Sequence, residues 1–248
     1  MELGGPRWKG KGFEDIAQAN PMSEIISRLQ TSLTQSEASA TLSGCTALLE
    51  SEPEAAELLE RASFGQKITN CNDDKHWFQL APEESFYLCH ALKCIKILRK
   101  DNTLMDESEL WNHFGSKRKT FPEVYKAYSH LRLKNWVVRS GTHYGADFVA
   151  YRHHPALVHA EYAVLVIPEK DGNVNNARLS QWSDLCCSLR LSGSVAKTLL
   201  VLHVSSCDRR DWSSLSCLEQ VTVEEQIIRR WIPERSREDK HVEVDEAH

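Results

Sequence analysis

A chain of 248 residues with 41% hydrophobic content has room for one large domain or two small ones and enough apolar side chain for a real core, which excludes a disordered polymer. Its formal charge of −5, summed over the whole chain, argues against a nucleic-acid partner. The eight cysteines contain no C-x-x-C pair, and neither an apolar leader nor a bilayer-length apolar run occurs, so the expectation is a soluble intracellular protein with reduced thiols, no zinc site and no membrane span.

Residues 1–20 hold Gly, Lys and Pro and are expected to form a flexible N-terminus. Ser23 is placed to cap a helix with Ile25, Ile26, Leu29 and Leu33 on one face. Pro53 suits the first position of a short acidic helix through Leu58 and Leu59. Residues 64–68 and 77–80 read as short strands joined by the Asn72-Asp73-Asp74 turn. Pro82 then opens a helix with Glu83 and Glu84 in its first turn and a stripe of Tyr87, Leu88, Ala91, Leu92 and Ile95. A further short helix surrounds Leu110, Trp111 and Phe114.

Phe121, Val124, Tyr125, Tyr128 and Leu131 repeat at helical spacing, which reads as core rather than as a base-stacking platform. Asn135 ends that helix and Trp136-Val137-Val138 begins a strand-rich region, with strands over 147–151, 162–167 and 198–204. Between the last two runs an amphipathic helix carries Trp182, Leu185, Cys186 and Leu189, with Ser180 as its cap. Acidic residues crowd 50–60, 83–84 and the tail from Glu234, whereas 117–139 holds Lys117, Arg118, Lys119, Lys126, Arg132, Lys134 and Arg139. Such a basic stretch is compatible with a local RNA site, but an ordinary solvated face is the preferred account.

Residues 141–162, GTHYGADFVAYRHHPALVHAEY, concentrate phenols and imidazoles near the ends of two strands. Pro155 enforces a turn between them, and the return can bring Tyr151 and His159 to one rim. Lys197 stands at the start of a later apolar strand. Phenol, imidazole and ammonium form a workable set for cleaving RNA without metal. The attacking 2′-hydroxyl must lose a proton, the departing 5′-oxygen must gain one, and the phosphorane between them carries extra negative charge. A phenol serves as base only if its pKa is lowered by a nearby cation, an imidazole suits proton donation, and an ammonium offers fixed positive charge. Taken singly, each has a commoner structural use: packing, a satisfied hydrogen bond, or protection of a sheet edge.

The 141–162 segment resembles the signature of the tRNA-splicing endonuclease family. Ser192-Gly193-Ser194-Val195-Ala196-Lys197-Thr198-Leu199-Leu200 resembles its lysine-bearing segment, and Tyr125-Lys126-Ala127-Tyr128-Ser129-His130-Leu131-Arg132 its lead-in helix. The likeness spans about residues 120–235, and a fainter one to the family's accessory domain lies in Phe64-Gly65 and Leu80-Ala81-Pro82-Glu83-Glu84. The overall length and Arg152-His153-His154-Pro155 are similar to a plant-type subunit that cuts the 5′ splice site. The resemblance implies Tyr151 as general base, His159 as general acid and Lys197 as transition-state stabiliser. It also implies that Arg190 and Trp231 clamp a bulged nucleotide, with Arg229 and Arg230 competing for part of the RNA contact. Trp231 as a buried anchor is a nearly equal alternative. His153 or His154 could replace His159, and Tyr144 could replace Tyr151.

The reading is an α+β protein: residues 1–20 flexible, 21–119 an accessory domain, 120–235 a mixed-sheet catalytic domain flanked by helices, and 236–248 a charged tail. The resemblance implies cleavage of intron-containing precursor tRNA to a 2′,3′-cyclic phosphate and a 5′-hydroxyl, without metal or other cofactor. It implies a nuclear heterotetramer with a second catalytic subunit and two structural subunits. The alternatives are a sister subunit cutting the 3′ splice site, a non-catalytic member of the complex, and a plain RNA-binding scaffold. A metal nuclease is more distant, because Asp147 with Glu161 makes a poor carboxylate pair.

Overall fold

The computed structural model describes residues 5–68, 76–169, 179, 181–205 and 215–229. The first half begins with α1 (Phe13–Ala19) and α2 (Met22–Gln35). α2 starts one residue before the expected cap: Pro21 is its N-cap and no side chain closes it. The expected face is nonetheless buried, through Ile25, Ile26, Leu29 and Leu33. Strands β1 (Ser39–Ser43) and β2 (Thr46–Ser51) form an antiparallel hairpin turned at Gly44, whose φ of 65° suits glycine. α3 (Pro53–Ala62) starts on Pro53 as expected and ends at Ser63.

β3 (Gln66–Ile68) and β4 (His76–Leu80) follow, and the Asn72-Asp73-Asp74 turn lies outside the described residues. α4 (Pro82–Phe86) runs into a π-helical turn at Tyr87–Ala91. The wider turn rotates the buried stripe: Phe86, Tyr87 and Leu88 are buried, while Ala91 is exposed. β5 (Lys96–Leu98) completes a sheet of order β3-β4-β2-β1-β5, with β5 parallel to β1.

α5 (Glu107–Lys117) is closed by a capping box between Asp106 and Glu109. α6 (Phe121–Leu133) buries all five of its expected face residues. The second sheet is built from β6 (Val137–Ser140), β7 (Phe148–Tyr151), β8 (Tyr162–Glu169), β9 (Thr198–Ser205) and β10 (Thr222–Ile228), in the order β10-β9-β8-β7-β6. β8 and β9 are parallel and connected through α7 (Trp182–Ser194); the other pairs are antiparallel. A short α8 (Cys217–Gln220) leads into β10.

Alternation along β8 and β9 buries both faces, as a sheet covered on two sides requires. Val164, Val166, Leu200, Leu202 and Val204 join the main core with α6, and Ala163, Leu165, Ile167, Leu199 and Val201 meet Leu185 and Leu189 of α7. The main core is continuous across both halves of the chain. This is the α+β architecture expected, with a mixed sheet in the C-terminal half. Trp182 departs from its expected place on the apolar face of α7 and is 77% exposed.

The basic stretch at 117–139 is largely engaged with protein. Lys126 donates to the Leu218 carbonyl, Lys134 pairs with Glu225, Arg118 pairs with Glu83, and Arg139 donates to the Gly65 carbonyl. Arg132 is 1% exposed and donates to the Tyr128 hydroxyl and to the carbonyls of Ala62 and Ser63, with its guanidinium 4.1 Å from the Phe64 ring centre. Arg132 and Arg139 join the two halves, and the other three side chains are tied within one half, so these five residues do not form a free electropositive face.

Candidate active site

Three backbone points converge where β7 ends and β8 and β9 begin. The Glu161 N–H donates to the Ala150 carbonyl, and the Thr198 N–H donates to the Glu161 carbonyl, each at 2.9 Å. Tyr151 follows the first of these points, Lys197 precedes the last, and His159 lies two residues before Glu161. Neighbouring strands are about 4.8 Å apart, so Tyr151 and Lys197 emerge roughly 10 Å apart in backbone terms, a span that accommodates a phosphodiester. Arg152 fixes the rim: its guanidinium pairs with Glu161 at 2.8 Å and stacks 4.2 Å from the Trp136 ring centre.

Tyr151 is half-buried and lines a cleft of about 590 Å³ with Arg139, His143, Tyr144, His154 and Pro155, facing Gly65–Lys67 of the first half. His159 and Lys197 are not in the cleft wall. His159 is exposed on the irregular segment before β8, and half-buried Lys197 places Nζ 4.1 Å from the Tyr144 ring centre. Tyr144 therefore lies between Lys197 and the cleft, a cation–π neighbour that motif position alone did not assign. All three expected catalytic side chains are accessible and their backbone segments share one end of the sheet, but of the three only Tyr151 lines the expected single cleft.

The electrostatics qualify the proposed roles. Burial, and then the neighbouring Tyr144, push the Tyr151 phenol above its ordinary value, and Arg139 opposes this only in part. The expectation of a lowered phenol is thus not met in the free chain. Burial and then the Arg7 guanidinium lower the Lys197 ammonium below the usual lysine value.

The rival histidines have other occupations. His153 is buried and donates through Nε2 to the Asn20 carbonyl at 2.8 Å. His154 accepts the Ala156 N–H at Nδ1, and burial, His153 and Arg139 hold its imidazole below the ordinary value. As an acceptor from Ala156, Nδ1 of His154 has no proton to give, and the lowered imidazole favours its neutral form. Asp147 accepts the Val166 N–H, and Glu161 is taken by Arg152, so the two carboxylates serve separate backbone and ionic partners. Among the described residues no group of three or more His, Cys, Asp and Glu side chains could hold a metal ion.

Arg190 is exposed on α7. Arg230, Trp231, Ser180 and the charged tail lie outside the described residues. The residue that sequence reading missed most completely is Arg7, whose backbone carbonyl accepts the His159 N–H at 3.0 Å. The segment expected to be loose contains α1 and an antiparallel bridge between Trp8 and Val158.

Gly141 sets the entry to the turn at Thr142–Tyr144. A Cβ there would lie 2.7 Å from the Phe148 oxygen and 2.9 Å from the Ala146 oxygen, both backbone. Gly141→Ala is expected to cost roughly 1–3 kcal/mol and to displace Tyr144 from Lys197. Chemical denaturation checks the stability, and an unchanged midpoint would show that the turn yields without strain.

The two halves of the chain match two family models. Residues 121–212 match the tRNA intron endonuclease catalytic C-terminal domain, and residues 38–111 match the tRNA intron endonuclease N-terminal domain. The chain is 58% identical over 247 residues to the probable tRNA-splicing endonuclease subunit Sen2 of Oryza sativa subsp. japonica, covering 97% of this chain and 84% of that protein. It is 54% identical over 236 residues to subunit Sen2-1 of Arabidopsis thaliana, covering 95% and 98%. The Mus musculus Sen2 subunit is 33% identical over 168 residues, 66% of this chain and 36% of that protein. The chain belongs to the tRNA-splicing endonuclease family, among its Sen2 subunits.

Proposed function

We propose that this protein is the catalytic subunit that cuts intron-containing precursor tRNA at the 5′ splice site, leaving a 2′,3′-cyclic phosphate and a 5′-hydroxyl. What supports the reading is the strand register: the Ala150–Glu161–Thr198 backbone bonds bring the segments that carry Tyr151, His159 and Lys197 side by side, and each of the three is accessible. The likeness to Sen2 subunits supports the splice-site choice.

In this reading Tyr151 takes the proton of the 2′-hydroxyl as its oxygen attacks phosphorus. His159 protonates the departing 5′-oxygen, and Lys197 neutralises charge on the phosphorane. The raised Tyr151 phenol is protonated in the free chain, so its action as base requires a cation brought against it when RNA and partner subunits close on the rim. Tyr144 holds Lys197 at the edge of the cleft and is the rival phenol. Arg190, Arg230 and Trp231 are proposed to contact the unstacked nucleotide near the cut, by guanidinium and indole stacking. The working form is proposed to be a nuclear heterotetramer with a second catalytic and two structural subunits. Residues 21–119 are taken as its accessory domain and 120–235 as its catalytic domain.

None of these steps assigns a role to a metal. The reconstituted complex should therefore cleave precursor tRNA in excess EDTA, with monovalent salt present, and end-group analysis should find cyclic phosphate on the 5′ exon. Complete loss on chelation, restored by magnesium, would contradict this mechanism, and 3′-phosphate-free ends would contradict the attack by the 2′-hydroxyl.

A further inference from the structure

The residues around Arg7 form a small structure of their own. Lys9 donates its N–H to the Leu157 carbonyl at 2.9 Å, Trp8 bridges Val158, and the Arg7 carbonyl accepts the N–H of His159. Residues 7–9 thus lie as a short strap along 157–159. The Arg7 side chain turns the other way. Its Nη2 donates both to the carbonyl of Ala160, at 3.4 Å, and to the carbonyl of Ala196. The first belongs to the residue after His159 and the second to the residue before Lys197.

The two segments need such a tie. His159 sits in irregular backbone between β7 and β8, outside the ladder hydrogen bonds that hold Tyr151. Lys197 follows Ala196, whose φ of 52° places a non-glycine residue in the left-handed region. Catalytic groups on loops are held less firmly than groups on strands, and a misplacement of about 1 Å can cost on the order of 100-fold in rate. Both carbonyls are met by one terminal nitrogen of Arg7, Nη2, through its two hydrogens, and the planar guanidinium fixes the direction in which they point.

We propose that Arg7 is a positioning residue of the active site, its guanidinium fastening the His159 segment to the Lys197 turn and thereby setting the spacing of proton donor and cation. The nearness of its charge to Lys197 agrees with this arrangement. The inference rests on the catalytic reading of His159 and Lys197, and it adds a residue from the opposite end of the chain.

The test uses the reconstituted complex under single- and multiple-turnover conditions. Arg7→Ala should lower kcat about 10- to 100-fold, the range seen when a supporting group is lost, with KM changed less than twofold. Arg7→Lys should recover only part of that loss, because an ammonium can donate to both carbonyls but its shorter, unplanar head is held less firmly in place. Arg7→Ala combined with His159→Ala should fall well short of the product of the two single losses, since a lost donor no longer needs placing and only the Lys197 turn is left to disturb. Assembly and thermal midpoint, measured alongside, should match the parent, because Arg7 is exposed. The inference is overturned by an Arg7→Ala complex with parental kcat, by a rise in KM alone, or by full additivity in the double variant. If His159→Ala itself cleaves normally, the catalytic reading fails instead.

Discussion

Complexes carrying His159→Ala should cut the 5′ splice site about 10²- to 10⁴-fold more slowly than the parent while binding precursor tRNA equally well. The imidazole is exposed and the neighbouring histidines are otherwise engaged, His153 with the Asn20 carbonyl and His154 with the Ala156 N–H. Neither of these two rings is therefore placed to take over the proton transfer in the same pose. The loss should also depend on the leaving group. A substrate with sulfur in place of the bridging 5′-oxygen needs no proton to depart and should be cut by the variant at close to the parent rate. Lys197→Ala should gain no such benefit, because the phosphorane charge remains whichever atom leaves. If the sulfur substrate leaves the His159→Ala defect unchanged, the residue is not the acid.

Arg132→Met should destabilise the chain by roughly 3 kcal/mol, the largest structural effect expected from one side chain here. Methionine matches the length and supplies apolar contact, but it leaves the Ala62 carbonyl and the Tyr128 hydroxyl without their charged donor. The Ser63 carbonyl keeps a long bond from Arg139, at 3.5 Å. Burying a guanidinium is itself costly, and replacing buried charge by apolar side chain can be neutral. The decision rests on geometry: three acceptors and the Phe64 face surround this group, so its removal exposes more unsatisfied polarity than it relieves. For a chain of this size the thermal midpoint should fall by about 6–12 °C. A midpoint equal to or above the parent would show that the guanidinium adds no net stability at the junction of the two halves.

Much of the fold is legible in local pattern. The α6 face, the start of α3 at Pro53 and the run of strands after Asn135 follow from spacing and breakers alone. The hairpin of β1 and β2 is not, because Ser and Thr alternate there with small apolar residues and give little contrast. The stripe after Pro82 goes out of phase because the π-helical turn inserts extra rotation, which no 3.6-residue template contains.

The candidate site divides along the same line. Tyr151, His159 and Lys197 are picked out by their motifs, and the strand register brings their backbone segments to one end of the second sheet, with only Tyr151 in the cleft wall. Tyr144 against Lys197 and Arg7 against Ala196 depend on contacts between distant parts of the chain, the second across 189 residues, and no short window carries that information. The direction of the Tyr151 shift was likewise invisible, since it depends on burial at a cleft made by both halves.

The most direct test places Tyr151→Phe, His159→Ala and Lys197→Ala singly into otherwise parental complexes and resolves the two splice-site cuts on one precursor tRNA. Each variant should lose the same cut, at the 5′ side of the intron, and keep the other. Loss of different cuts by different variants, or survival of the 5′ cut in any of them, would contradict a common phosphate for the three groups.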